Sequence, residues 1–278
     1  MPENRVLLPL DGSALSERSL GYVPMISSLV RPQFELISVH ESRDSRATNA
    51  DVGAYLSNKA RELGDTLGVH TVVKVLHGIP YLAILDEAED ERVSLIIIST
   101  HGWGSATQWR VGSVADKVVR GSPCPVLVIG PFCAAPPSSI RRIFLPLDGS
   151  ELAETALPVA GLLAKRGGAM LSLVRICPPA ETIVDTSAGE ARAKNYLEEA
   201  ARKLPAGVTT ETLVCVGTPP DTLQAEAAHR GADLIVMSSH GSHGFMSYAP
   251  GSVTERLLAG PIPILIVRPG QLARLAHW

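Results

Sequence analysis

A chain of 278 residues is long enough for two ordinary domains with a core each. Apolar residues make up 45% and charged residues 19%, which marks a globular chain and argues against a disordered one. A formal charge of −3 gives no electrostatic case for nucleic acid, and no apolar run approaches the roughly 20 residues of a membrane helix.

From the amino end, Met-Pro-Glu-Asn-Arg leads straight into a predicted strand, Arg5–Leu10, with no signal peptide ahead of it. Asp11-Gly12-Ser13 follows as a turn and helix N-cap, with a helix expected over roughly Leu15–Leu29. Phe34–Val39 reads as a second strand, His40–Asn49 as a polar loop, and Ala50–Leu67 as an amphipathic helix. Thr71–Leu76 is a third strand, and Gly78-Ile79-Pro80 turns into a helix over Pro80–Arg92, with proline in its first turn. Its acidic cluster (Asp86, Glu87, Glu89, Asp90, Glu91) is expected to be a solvated face. Ser94–Ser99 is a fourth strand, a helix starts at Gly112-Ser113 and runs to Arg120, and Pro125–Ile129 closes the unit. Cys124, Cys133, Cys177 and Cys215 form no Cys-x-x-Cys pair, as expected of reduced, mostly buried thiols in a soluble cytoplasmic protein.

After a Pro- and Ser-rich linker the pattern returns, shifted by 137 to 139 residues. Leu8–Ser13 recurs as Leu145–Ser150, Gly78-Ile-Pro80 as Gly217-Thr-Pro219, and His101-Gly102 as His240-Gly241. Gly112-Ser-Val114 recurs as Gly251-Ser-Val253, and Pro125-Val-Leu-Val as Pro263-Ile-Leu-Ile. Five landmarks in one order mark a tandem duplication. The expected divisions are 1–130 and 141–278, joined by 131–140. Strands alternating with helices predict an α/β fold: two doubly wound domains, each a five-stranded parallel sheet with helices on both faces.

In each half, a buried apolar strand (Leu95–Ser99, Leu234–Ser238) ends in a Ser/His/Gly turn, and a helix restarts at Gly-Ser. Backbone N–H groups and a helix N-terminus are thereby aimed beyond the strand's carboxyl end, at a space suited to phosphate. Asp11 with Ser99–Gly102, and Asp148 with Ser238–Gly241, are expected to be neighbours there.

With its Asp-Gly-Ser turn, its Ser-x-His-Gly turn, nine residues and Gly-Ser-Val, each half resembles a universal stress protein domain, the whole a tandem one from Arg5 to Val267. The nucleotide-binding branch of that family has Gly, two residues, Gly, nine residues, Gly, then Ser or Thr. Gly102, Gly112 and Ser113 keep the last three landmarks, as do Gly241, Gly251 and Ser252, whereas Ser99 and Ser238 replace the first glycine. The other branch lacks the pattern and does not bind ATP. The resemblance implies that Asp11 and Asp148 sit by the nucleoside, and that Val39 and Val174, closing the second strands, lend backbone contacts to adenine. It implies that Gly102, Gly112, Gly241 and Gly251 let amides approach phosphates, and that Ser113 and Ser252 donate at the helix start. Pro9, Pro146, Val114 and Val253 flank these positions and complete the candidate set. Edge strands would pair between the halves as an internal pseudo-dimer, with a homodimer left open.

Positive φ at Ser99 or Ser238 would cost of order 1–2 kcal/mol, so with ordinary backbone there the serine would bond the ribose instead. His101 and His240 divide between ordering the turn and touching phosphate. Trp103 and Trp109 read as packing or a lid. Arg110 is a phosphate neighbour that the second loop lacks, which points to the first half as the tighter site. His240-x-x-His243 has no third ligand nearby, so no metal site is expected. Without a nucleophile elbow, a P-loop or a lysine for the γ-phosphate, slow ATP hydrolysis is the most the chain would perform. The expected function is a stress-response regulatory or sensor module that binds ATP. Mg2+ as companion, and AMP or ADP as alternatives, stay open. The alternative is a ligand-free module of the same fold that binds an unknown protein partner.

Overall fold

A computed structural model describes residues 4–40, 46–100, 112–178, 186–238, 253–275 and 278. The first half holds strands β1 (Arg5–Pro9), β2 (Gln33–His40), β3 (Thr71–His77), β4 (Val93–Ser99) and β5 (Val126–Ile129). Its helices are α1 (Val23–Ser27), α2 (Arg46–Leu67), α3 (Pro80–Ala88) and α4 (Ser113–Gly121). In the second half the strands are β6 (Arg142–Pro146), β7 (Met170–Cys177), β8 (Thr210–Val216), β9 (Leu234–Ser238) and β10 (Ile264–Val267). Its helices are α5 (Glu151–Glu154), α6 (Leu157–Gly167), α7 (Thr186–Arg202), α8 (Pro219–His229) and α9 (Val253–Leu258).

All ten strands form one sheet in the order β3-β2-β1-β4-β5-β10-β9-β6-β7-β8. Pairing is parallel within each half, and β5 meets β10 antiparallel through Leu127 and Leu265. The strands are apolar on both sides because helices cover both. Val6, Leu8, Leu36 and Ile97 face α1 and α2, and this core runs on through Leu145 and Leu173 to Leu197 of α7. Leu7, Ile37, Ile96 and Ile98 face α3 and α4, and that core continues through Val174 and Ile235 to Leu257 of α9.

Three expected elements differ. The helix over Leu15–Leu29 is a 3₁₀ segment, Ser16–Tyr22, followed by α1. Ser16 and Ser19 hydroxyls donate to the carbonyls of Ser13 and Ser16, and Pro24 has no amide to continue an earlier turn. α2 starts at Arg46, inside the expected loop. α3 stops at Ala88, where the Arg92 amide donates to Asp90 Oδ1 at 2.9 Å in a tight turn. The acidic cluster is also more than a solvated face. Glu87 and Asp90 receive the Arg5 guanidinium at 2.6 and 2.9 Å, and Lys74 reaches Glu87 at 2.5 Å.

Each half reaches across the junction to close the other's helices. Beyond β10, Arg268 Nη1 donates to the carbonyls of Arg120 (2.5 Å) and Ser122 (3.1 Å) at the end of α4, and Gln271 Nε2 joins at Ser122 (2.8 Å). Beyond β5, the Ala134 amide donates to Pro261 (2.9 Å), and a Cβ at Gly130 would lie 2.2 Å from the Leu258 carbonyl oxygen. That obstacle is backbone and cannot swing aside. Gly130→Ala is therefore expected to destabilise the chain by about 1–3 kcal/mol, read from urea unfolding.

Candidate functional site

In the order 3-2-1-4-5 the winding reverses between β1 and β4, and in the second half between β6 and β9. Ligand crevices of open α/β sheets lie at the carboxyl ends of such strands. β1 runs beside β4 with Leu7 opposite Ile96, so Asp11 and Thr100, just beyond the two strands, emerge at one edge.

The Asp-Gly-Ser turn is built the same way twice. Asp11 Oδ1 accepts the Ser13 amide at 2.9 Å and its hydroxyl at 2.6 Å, and Ser13 Oγ accepts the Ser16 amide at 3.1 Å. Asp148 Oδ1 accepts the Ser150 amide and hydroxyl at 2.9 and 2.6 Å, and Ser150 Oγ caps α5 through the Ala153 amide at 3.1 Å. The capping atom is thus the serine oxygen, and the aspartate orients the serine. Gly12 and Gly149 sit at φ of 81° and 88°, which a side chain would strain. Both aspartates are exposed beyond the strand ends. Burial alone would raise the Asp148 pKa, but the Ser150 bonds and the nearby Arg175 charge hold it below the usual carboxylate value.

β4 ends at Ser99, which is buried, and the Thr100 amide and hydroxyl both reach the Ile129 carbonyl (2.9 and 3.3 Å). The Gly112 amide then donates to the Thr100 carbonyl at 2.6 Å, closing the base of the loop and setting the start of α4 beside the strand end. Gly112 has φ −60° and ψ 148°, so this position does not need glycine for its conformation. Ser113 is exposed at the helix start and Val114 half-buried behind it, while Ala115, Val118 and Val119 bury the other face. The amides of Ser113, Val114 and Ala115 have no carbonyl one turn back within the helix. Among the described residues no residue other than glycine has positive φ, so Ser99 and Ser238 replace the motif's first glycine without strain. The Ser238 hydroxyl meets Thr155 Oγ1 at 2.8 Å, a partner within its own half.

Pro9 and Pro146 are half-buried at the ends of β1 and β6, and Val39 half-buried near the end of β2. Val174 is misplaced as its counterpart. Pro146 pairs with Val174 as Pro9 pairs with Ile37, which makes Ile176 the equivalent of Val39. Val174 itself is fully buried in the core. Register, and not distance from the strand's end, was the signal to follow. His101, Gly102, Trp103, Trp109, Arg110, His240, Gly241, His243, Gly251 and Ser252 lie outside the described residues; Val253 opens α9. Of the candidate residues in the first half, Pro9, Asp11, Val39 and Ser99 lie at or just beyond the carboxyl ends of β1, β2 and β4, and Gly112, Ser113 and Val114 lie at the start of α4.

Sequence reasoning passed over Arg175 and Arg192, which line a cleft of about 350 Å³ in the second half with Gly149, Cys177 and Tyr196. Arg175, the one charged residue of β7 (Met170–Cys177), was the available signal. No group of three metal-ligating side chains occurs among the described residues, and none of their helices is long and apolar enough to cross a membrane. Cys124 and Cys133 are buried thiols; burial pushes Cys124 up to about 11 and Cys133 upward as well.

The sequence profile of the Universal stress protein family matches residues 3–130 and again 139–268. A universal stress protein of Mycobacterium tuberculosis is 29% identical over 195 residues, 66% of this chain and 63% of the relative's length. One of Bacillus subtilis is 26% identical over 147 residues, 45% of this chain and 98% of the relative. Among solved structures, a universal stress protein from Archaeoglobus fulgidus has a TM-score of 0.68 at 20% identity, covering 97% of this chain and all of that one. That likeness concerns the fold.

Proposed function

The chain belongs to the universal stress protein family, and from that premise we propose that it is a stress-response regulatory protein whose two units, 1–130 and 141–278, each bind an adenine nucleotide, ATP foremost. The observation that carries the reading is the bond from the Gly112 amide to the Thr100 carbonyl, which seats the first turn of α4 at the β1–β4 switch point. Three amides and the Ser113 hydroxyl at that point make an anion-binding end, reinforced by the helix dipole. Asp11, oriented by Ser13, offers the acceptor that a nucleoside's hydroxyl or amino group requires. The second unit has the same turn at Asp148 and the same switch point, while its Gly251-Ser252 helix start lies outside the described residues.

A second reading, a protein-interaction module without ligand, draws on two commitments. The Gly112 amide and the Ser238 hydroxyl already have partners inside the protein. The two readings separate on nucleotide release. Freshly purified protein is heat-denatured and its supernatant chromatographed; bound adenine nucleotide is expected. ATP at about 100 times its Kd should stabilise the fold by about 2.7 kcal/mol. Gly112→Val should keep the fold, because valine tolerates φ −60° and ψ 148°, yet weaken ATP binding at least about tenfold through bulk at the helix start. No released nucleotide and no melting shift with ATP, ADP or AMP would favour the interaction module.

A further inference from the structure

β3 and β8 are the two outer strands of the sheet, and each pairs on one side only among the described residues. At β8 the Leu171 amide donates to the Thr209 carbonyl and the Gly217 amide to the Cys177 carbonyl, so the odd-numbered residues bond β7. The backbone groups of Thr210, Thr212, Val214 and Val216 point outward, without a partner among the described residues. β3 is built alike. The Phe34 amide meets the His70 carbonyl and the Gly78 amide the His40 carbonyl, which leaves Thr71, Val73, Val75 and His77 facing out. Each edge is seven residues long and rich in valine and threonine, the composition that favours further pairing.

The two edges differ in what they present to a copy of themselves. Antiparallel pairing of a strand with its own copy sets the central residue against itself. In the full seven-residue register the outward residues make the hydrogen-bonded pairs, and the centre is a close, non-hydrogen-bonded pair. For β3 that centre is Lys74, and like charges directly opposite one another disfavour pairing. Lysine on an edge strand is a common guard against such contacts. For β8 the centre is Leu213, and the outward residues pair as Thr212 with Val214 and Thr210 with Val216. The one charge of β8, Glu211, falls opposite Cys215 of the copy and is neutralised within its own chain by Arg142 and Arg230. Leu213 leans on one core of the sheet and Val214 on the other, so the new pairs extend both. The junction of the halves already shows this chemistry: β5 meets β10 antiparallel, Leu127 opposite Leu265, with a valine–isoleucine pair on either side.

We propose that the β8 edge is where two copies of this chain join, antiparallel about Leu213, so that one sheet runs through both while the β3 edges stay free. This holds whether or not the crevices take nucleotide. Seven residues a side make a small contact, so the dimer forms and dissociates with concentration.

Analytical ultracentrifugation of the full chain, diluted from about 1 mM to about 1 μM, should show the mass falling from two chains toward one. Val214→Pro removes an outward amide and leaves the β7 ladder whole, so it should keep the fold by circular dichroism and weaken association at least about tenfold. Thr212→Lys, which charges the edge without altering its backbone, should do the same. Val73→Pro, at an outward amide of β3, should leave the mass unchanged. In a Cys215→Ser background, Leu213→Cys sets two thiols at the centre of the contact, where mild oxidation should link two chains. A single-chain mass throughout the dilution, a dimer that Val214→Pro and Thr212→Lys leave at full strength, or no link through position 213 would overturn the proposal.

Discussion

Arg5→Met should lower the free energy of unfolding by about 3–5 kcal/mol, the loss typical of breaking one partner out of a buried ion cluster. Arg5 is only 8% exposed at the amino end of β1 and holds three carboxylates from two other elements and a turn. Its Nε donates to Glu35 at 2.8 Å, and its terminal nitrogens reach Glu87 at 2.6 Å and Asp90 at 2.9 Å. Methionine fills much of the volume but leaves Glu35, itself 3% exposed, as a buried charge without that partner. Lys74 still reaches Glu87, which keeps the loss from growing further.

The pH dependence carries a sign that distinguishes this account from lost packing. Burial opposes ionisation of Glu87, but hydrogen bonds from Lys74 and Arg5 outweigh it and hold its pKa below the usual value. Asp90 is held lower still, first by the Arg92 side chain. A carboxylate depressed in the folded state contributes stability that is complete above its unfolded pKa and fades as pH falls through the folded one. The unmodified chain should therefore lose stability on acidification through the carboxylate range. Acid relieves the variant by neutralising the stranded carboxylates, so the gap between the two narrows. Urea unfolding at neutral pH and near pH 4.5 measures this; an equal gap at both would assign the effect to packing.

The second half solves the same problem differently, and the difference explains what the sequence made legible. Arg142, the counterpart of Arg5, finds Glu211 on β8, while the position of Glu35 is taken by Ser172. Continuous apolar strands, the Asp-Gly-Ser turns and the repeat could be read directly, because each depends on neighbours in the chain or on a fixed shift. The acidic cluster could not, because the partner that makes Glu87 and Asp90 structural lies 82 and 85 residues away. Val174 failed for a related reason: strand ends fray in sequence, and only the pairing of Pro146 with Val174 reveals the register. The cleft of Arg175 and Arg192 needed both the sheet order and the helix face to bring its two cations together. Of the candidate site, the Asp turn and the Gly112–Ser113 helix start were legible, since glycine, serine and aspartate each have a local backbone reason to be there.

Trp278→Ala should remove about 3–5 kcal/mol, the usual loss for deleting a large buried aromatic. The indole is 2% exposed and belongs to a segment that crosses from β10 to the first half. Its Nε1 donates at 2.9 Å to the Ser94 hydroxyl, which is fully buried and in turn donates to the Arg5 carbonyl at 3.2 Å. Removing the ring empties apolar volume beside Met25, Leu95 and Leu275 and leaves Ser94 without its donor partner. The same segment carries Arg274, whose guanidinium reaches the Asp90 carbonyl at 2.7 Å, and Arg268 and Gln271 at the end of α4. These contacts, with three pairs of strand residues between β5 and β10, bind the halves to one another. Weakening them should therefore change the shape of unfolding as well as its midpoint, splitting one cooperative transition into two, because each half retains its own strands and helices. Trp278→Phe keeps most of the burial and loses the indole donor, so about 1–2 kcal/mol is expected there, with a single transition retained. A single, unsplit transition in Trp278→Ala with a loss below about 1 kcal/mol would mean that the β5–β10 pairing alone holds the halves together.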